Sequence, residues 1–171
     1  MRAIVAACDD WGIGLKGDLL VRNPEDMRHY VRLTKHGVVV MGRKTLQSFP
    51  GSKPLRGRRN VVVTRGELDP ALWEGLDDTT TLEVVHTPQE ALDAVADTDP
   101  SQVWLIGGAS LYEQLIDECN EAVVTFNHCT VPADTFFPNL DERAGWQVAS
   151  REPGGTTPDG IDFDYVTYTH A

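Results

Sequence analysis

Cysteine is scarce in this 171-residue chain: Cys8, Cys119 and Cys129 are the only three. The count is odd and no two form a CxxC pair, which argues against a disulfide framework and against a zinc knuckle. Reduced thiols in a cytoplasmic protein, buried as small hydrophobes, are expected, and no metal site. A long apolar run is also missing. The stretch Arg2-Ala3-Ile4-Val5-Ala6-Ala7-Cys8 is too short for a signal h-region with its cleavage site and too short to span a bilayer. Secretion and membrane insertion are therefore disfavoured. Net positive charge is absent as well: 15 Lys and Arg stand against 26 Asp and Glu, a formal −11 at pH 7. Such a surface repels nucleic-acid phosphates, so no nucleic-acid partner is expected. No internal repeat or low-complexity tract interrupts the chain.

What is present is ordinary globular usage, with 41% hydrophobic and 24% charged residues, enough for a core without staples. The length favours one domain over residues 1–171. Strand-like β-branched runs occupy 3–7, 38–41, 60–63, 81–85, 103–106 and 121–126, with two more at 146–150 and 163–169. Helix-like segments fall at 24–33, 44–48, 88–95 and 110–117. This alternation predicts an α/β fold: a predominantly parallel central mixed sheet of about eight strands with about four flanking helices. The last two strands, separated by the turn-rich 152–160, predict a C-terminal antiparallel hairpin. Residues 66–78 read as a surface loop. Asn23-Pro24 signals a helix start with Asp26 at the third position, and Thr87-Pro88-Gln89-Glu90 predicts a capping box closed by Glu90.

Five stretches carry chemistry. Trp11-Gly12-Ile13-Gly14-Leu15-Lys16-Gly17-Asp18 places three glycines in a loop after the first strand, either a plain connection or a close approach to a ligand. Asp26 faces the positive end of its helix and is either a capping carboxylate or an anchor. Met27, Tyr30 and Val31 mark the apolar face, and Asp26 with Tyr30, four apart, can line one surface suited to a flat heterocycle. Val38-Val39-Val40-Met41-Gly42-Arg43-Lys44-Thr45 runs a buried strand into a basic helix start. That suits an anion, although the spacing is not that of a P-loop. Arg58 precedes the strand that ends in Thr64-Arg65, where ligands of α/β sheets often sit. The cluster Arg43, Lys44, Lys53, Arg56, Arg58, Arg59 and Arg65 is either a small-anion site or a solvated basic face. Ile106-Gly107-Gly108-Ala109-Ser110-Leu111-Tyr112 passes a second strand through glycines into a helix, without the GxGxxG of an ordinary dinucleotide fold.

In this order, and with Thr125 and the late Ala133-Asp134-Thr135-Phe136-Phe137-Pro138, these motifs resemble the dihydrofolate reductase family over nearly the whole chain. Met41-Gly42-Arg43-Lys44-Thr45 and Ile106-Gly107-Gly108 followed by Tyr112 are the strongest signals. The resemblance implies reduction of dihydrofolate to tetrahydrofolate, with hydride transfer from NADPH to C6 of the pterin and a proton delivered to N5 by water. It implies Asp26 as the pterin anchor, supported by Thr125. Val5, Ala6, Met27, Tyr30 and Phe49 would wall the pocket, with Ile106 and Tyr112 completing the substrate side. Leu55 would pack along the aminobenzoyl group and Arg58 clamp the glutamate α-carboxylate. Ala7, Ile13 and Gly14 would border the nicotinamide. Gly42, Arg43, Lys44, Thr45, Thr64 and Arg65 would hold the adenosine phosphates, and Gly107, Gly108, Ala109, Ser110 and Leu111 the pyrophosphate side, with a cis peptide in the glycine pair. Residues 15–20 would belong to a mobile closing loop. A monomer is expected, as is common in the family.

Two departures stand out. The family usually has Leu-Pro-Trp before the active-site helix, where the Trp bonds an ordered water near the pterin; here the stretch is Leu19-Leu20-Val21. Ser110 replaces an Arg that some members offer to the cofactor phosphate, and Arg65 is the candidate to compensate. Two competing readings are a same-fold pyrimidine reductase of riboflavin synthesis and a catalytically silent nucleotide-binding module. The first would not be expected to combine Asp26, Tyr30 and Arg58; the second draws on Val21.

Overall fold

The β-branched runs become strands and the capped segments helices in a computed structural model that describes residues 1–171. In chain order these are β1 (Arg2–Cys8), β2 (Gly12–Gly14), α1 (Pro24–Thr34), β3 (Val38–Gly42), α2 (Arg43–Ser48), β4 (Arg59–Val63), β5 (Thr81–Val85), α3 (Pro88–Ala94), β6 (Val103–Gly107), α4 (Ala109–Leu115), β7 (Glu121–Asn127), β8 (Thr135–Phe136), β9 (Trp146–Thr156) and β10 (Asp162–His170). Eight strands form one sheet in the order β5-β4-β3-β6-β1-β7-β10-β9. The pairings from β5 to β7 are parallel, and β10 is antiparallel to both β7 and β9. The α/β mixed sheet with four helices and an antiparallel C-terminal pair is thus the one the alternation of patterns predicts.

Near-continuous apolar strands are buried on both faces, as a parallel sheet between helices requires. Val39, Met41, Val62, Trp104 and Ile106 form one core layer with Leu46 of α2, and Tyr30 and Leu33 of α1 pack onto it. Val38, Val40, Val61 and Leu105 form the opposite layer with Ala91 of α3 and Leu111 and Leu115 of α4.

Side chains fix the helix starts. Asn23 Oδ1 accepts from Asp26 N at 3.1 Å, and Thr87 Oγ1 accepts from Glu90 N at the same distance. The expected capping box is displaced: Glu90 Oε2 takes His86 N at 2.8 Å, one residue further back than Thr87. The 66–78 segment is more than a surface loop. It holds a 3-10 turn, Pro70–Trp73, and Leu68, Leu72 and Leu76 pack on the core.

The C-terminal pair is longer than its sequence pattern suggests. β9 continues through Pro153, Gly154 and Gly155, which read as turn residues, because register shifts in the β9–β10 ladder absorb them. A Cβ on Gly154 would lie 2.3 Å from the Phe163 ring. Gly154→Ala should therefore cost about 1–3 kcal/mol through overpacking. Its denaturant midpoint, compared with that of the unmodified protein, checks this; an unchanged midpoint would mean that β9 yields.

β2 and β8 form a small separate sheet that no periodic pattern announces. It packs the late Ala133–Phe137 segment against the glycine loop. A Cβ on Gly14 would lie 2.6 Å from Thr135 Oγ1, and one on Gly12 would lie 3.0 Å from the Ala133 Cβ. These two glycines serve close strand packing; Gly17, at φ +84° with open space around it, serves a turn.

Candidate active site

The sheet opens where β1 leaves β6. β1 pairs with β6 only at Arg2↔Trp104 and Ala3↔Leu105, yet follows β7 to Cys8↔Asn127. A crevice at the carboxyl ends of parallel strands results, the usual ligand position in open α/β sheets. Tyr112 closes its base by donating its hydroxyl to Ile4 O at 2.7 Å, with its ring edge-on to Phe137. It is a buried brace.

On one side stands α1. The Asn23 cap presents Asp26 in the first turn, and Thr125 Oγ1, buried on β7, donates to Asp26 Oδ1 at 2.5 Å. Asp26 Oδ2 keeps no protein partner. Burial pushes the carboxyl above its ordinary value, and the Thr125 bond opposes this less strongly. The expected apolar face of α1 divides. Tyr30 and Leu33 join the core, whereas Met27 and Val31, 50% and 43% exposed, stay open beside Asp26. Exposed apolar side chains beside a carboxylate suit a flat ligand. Phe49 and Leu55 are half-buried against the same core layer. Val5 departs from expectation. Its side chain packs into the α3–α4 layer, on the face opposite Thr125, because it alternates with Ile4 and Ala6 along β1. Ala6, paired with Thr125, does face the cleft, and Ile106 is buried in the α1 layer.

At the other end of α1 lies Arg58, 8% exposed. Its Nε and Nη2 reach Thr34 Oγ1 at 3.3 and 3.2 Å, Nη2 also reaches Val31 O at 3.2 Å, and Nη1 reaches Arg56 O. No carboxylate pairs with it. Burial lowers its pKa from the usual range but leaves it a cation. A buried guanidinium without a counter-ion favours an incoming anion. Asn60, fully buried on β4, holds this loop. Its Oδ1 accepts from Leu55 N, and its Nδ2 donates to Leu55 O, Arg58 O and Thr81 O. Asp26 and Arg58 thus mark the two ends of one helix, roughly 8–12 Å apart along its axis at about 1.5 Å per residue.

The far side is basic. Arg43, Lys44 and Arg65 sit at the carboxyl ends of β3 and β4, exposed and unpaired, and Arg43 Nη1 lies 3.9 Å from the Cβ position of Gly66. Arg59 is not part of this patch, since it pairs with Glu83 and bonds Ala94 O at 2.7 Å. α2 and α4 begin at Gly42 and Gly108 without a side-chain cap. The Gly107-Gly108 peptide is cis, and a Cβ on either residue would sit 3.3 or 3.5 Å from Thr45 Oγ1. Thr64 Oγ1 is taken by Gly66 N at 3.3 Å and Ser110 Oγ by Gln114 Nε2 at 3.0 Å; Ala109 is half-buried and Leu111 lies in the core. Between the two sides, Ala6, Ala7, Cys8, Ile13, Val21 and Asn127 line a small cavity, with Leu19 and Leu20 over it. Gly14 turns instead toward Thr135.

A half-buried carboxylate, a buried unpaired cation and an exposed cationic edge stand around one strand-end crevice, as suits an α/β enzyme for a small anionic substrate and a nucleotide. A family model described as dihydrofolate reductase matches residues 1–170. The dihydrofolate reductase of Drosophila melanogaster is 30% identical over 174 residues, covering 95% of this chain and 93% of its own. That of Haloferax volcanii is 32% identical over 167 residues, covering 96% and 80%. A solved dihydrofolate reductase from Enterococcus faecalis, complexed with NADP(H) and RAB-propyl, superposes with a TM-score of 0.79 at 28% identity, covering 99% of this chain and 95% of its own. The chain belongs to the dihydrofolate reductase family.

Proposed function

We propose that the protein reduces 7,8-dihydrofolate to tetrahydrofolate with NADPH, using the residues that surround the crevice. The observation that carries the assignment of the site is the Asp26–Thr125 pair, half-buried beside the exposed apolar side chains of Met27 and Val31. Asp26 accepts hydrogen bonds from the amino group and ring N–H of the pterin. Thr125 holds the carboxylate in place, and Met27, Tyr30 and Ala6 flank the ring. Asp26 raises the proton affinity of the bound ring through its charge, and water brings the proton to N5. Arg58 grips the carboxylate of the glutamate tail by a charge-assisted bond from the Nη1 N–H that Thr34 Oγ1, Val31 O and Arg56 O leave free.

The residues fit a phosphorylated dinucleotide. Gly107 and Gly108 leave backbone surface that a Cβ would crowd against Thr45, and three unpaired cations stand at the adjacent strand ends. When bound, NADPH supplies the hydride. Arg43, Lys44 and Arg65 would hold its adenosine phosphates, Arg43 and Arg65 the 2′-phosphate in particular, and Ala7 and Ile13 would border the nicotinamide. Leu19 and Leu20 exclude water, just after a tight turn in which Leu15 and Asp18 exchange backbone hydrogen bonds.

NADPH oxidation followed by absorbance, with and without dihydrofolate, tests the assignment; a folded protein without turnover would overturn it. Changing Arg43 and Arg65 together to Gln should raise the NADPH KM about tenfold or more, as expected for losing charge-assisted bonds, and leave the NADH KM nearly unchanged. Equal weakening of both cofactors would place the 2′-phosphate elsewhere. We further propose a monomer in the cytoplasm without a nucleic-acid partner. The −11 charge supports the last point, and the free, touching thiols of Cys8 and Cys129 suit a reducing compartment.

A further inference from the structure

Asn127 is an anomaly in the cleft. It is 2% exposed, at the end of β7, in a cavity otherwise lined by apolar side chains and glycine. Burying an amide there is unfavourable unless both its ends are bonded. One end is. Asn23 Nδ2 donates to Asn127 Oδ1 at 3.0 Å. The direction of that bond is not free to reverse. Asn23 Oδ1 already accepts from the backbone N–H of Asp26, which can only donate, so Asn23 must present Nδ2 to its neighbour. Asn127 must then present Oδ1, and its Nδ2 is left for the cleft. No protein acceptor meets it.

Its position gives this donor a purpose. Asn127 follows Thr125 by two along β7, so both side chains emerge on the face of α1. Their register partners Cys8 and Ala6 alternate in the same way on β1. One strand therefore brings Thr125, which holds the Asp26 acceptor, and the amide donor to the same face, their backbone positions roughly 6–7 Å apart at 3.3 Å per residue. A heterocycle whose amino and ring N–H groups face a carboxylate, with a ring carbonyl next to them, presents the matching pattern. Val21, which lines the same cavity, has no side-chain hydrogen-bonding group.

We infer that Asn127 is a specificity-determining residue: its Nδ2 donates to the ring carbonyl of the bound pterin, directly or through one water, and so selects 4-oxo over 4-amino rings. A 4-amino ring has no carbonyl there to accept the Nδ2 hydrogen bond. This rests on the assignment of Asp26 as the pterin anchor.

The test uses equilibrium binding of two probes, folic acid (4-oxo) and a 2,4-diaminopyrimidine (4-amino), to the NADPH complex. Asn127→Leu should weaken folic acid about tenfold, as expected for one lost neutral hydrogen bond, and leave the diamino probe unchanged or tighter. Asn127→Asp keeps the shape and the bond from Asn23 but replaces the donor with an acceptor. It should shift the preference further toward the diamino probe, and it serves if the leucine variant fails to fold. Equal weakening of both probes in both variants would reduce Asn127 to a brace for α1 and overturn the inference. Failure of the underlying assignment reads differently: Asp26→Asn would then leave binding of both probes intact.

Discussion

Replacing Asp26 by Asn lowers the turnover of dihydrofolate by about 10²-fold or more near neutral pH, the range typical of a positioned acid–base group, and leaves NADPH affinity within about twofold. The two effects separate because Asp26 and the cationic edge of Arg43, Lys44 and Arg65 lie on opposite sides of the crevice. Stability moves the other way. Burial raises the folded-state pKa of Asp26 above its ordinary value of 3.8. The folded protein therefore favours the protonated carboxyl, and the resulting stability is fully present below the unfolded pKa and lost as pH rises through the folded one. At neutral pH the native protein carries a half-buried charge that the amide does not. The ligand-free variant should thus be at least as stable as the unmodified protein at pH 7, and lose that advantage toward pH 4. Turnover against pH, beside thermal melts at the same pH values, reads both. A comparable loss of NADPH affinity would show that Asp26 has been assigned to the wrong half of the site.

Arg58→Leu should raise the KM for dihydrofolate about 10²-fold, from about 1.5–3 kcal/mol for each charge-assisted bond lost, with a smaller change in kcat. A pterin without a glutamate tail should not distinguish the two proteins. Arg58→Lys keeps the charge and loses the fork, and should recover only part of the affinity. Truncation also leaves Thr34 Oγ1 and Val31 O without their donor, so some stability is lost with the function. The tail-free substrate separates these effects: if it suffers as much as dihydrofolate, Arg58 acts only as a structural tie between α1 and the loop after α2.

Most of the fold is legible in the sequence because its signals are local. Valine runs mark β3 and β4, Asn23-Pro24 and Thr87-Pro88 mark helix starts, and the spacing of Asp26 from its cap sets its aim into the cleft. The parts that escape are pairings between distant residues. β2 with β8 is a three-residue strand against a two-residue one, too short to show a period, and its glycines resemble a ligand loop. The bonds of Arg58 to Val31 and Thr34, the grip of Asn60 on its loop and on Thr81, and the Asn23–Asn127 bond are polar side-chain contacts that no period reports. The only trace of the last two is an asparagine within, or at the end of, an apolar run, where burial without a partner would be unfavourable. Arg59 shows the converse. It sits beside Arg58 in the sequence, but alternation along β4 sends it to the other face and to Glu83. Likewise Val5 follows the strand period into the opposite core layer.

The position of β1 also governs the order in which the molecule can be assembled. The first strand made lies in the middle of the sheet, and its neighbours are its latecomers: Arg2 pairs with Trp104 on one side and Glu121 on the other. During synthesis the N-terminal segment must wait for more than half of the chain before it gains either partner. The β3–β4–β5 edge, joined by near contacts, can form first. Pairings of such long sequence separation make folding slow. Until β7 emerges, the apolar strand that later floors the crevice is an open edge and the part of the nascent chain most in need of shielding.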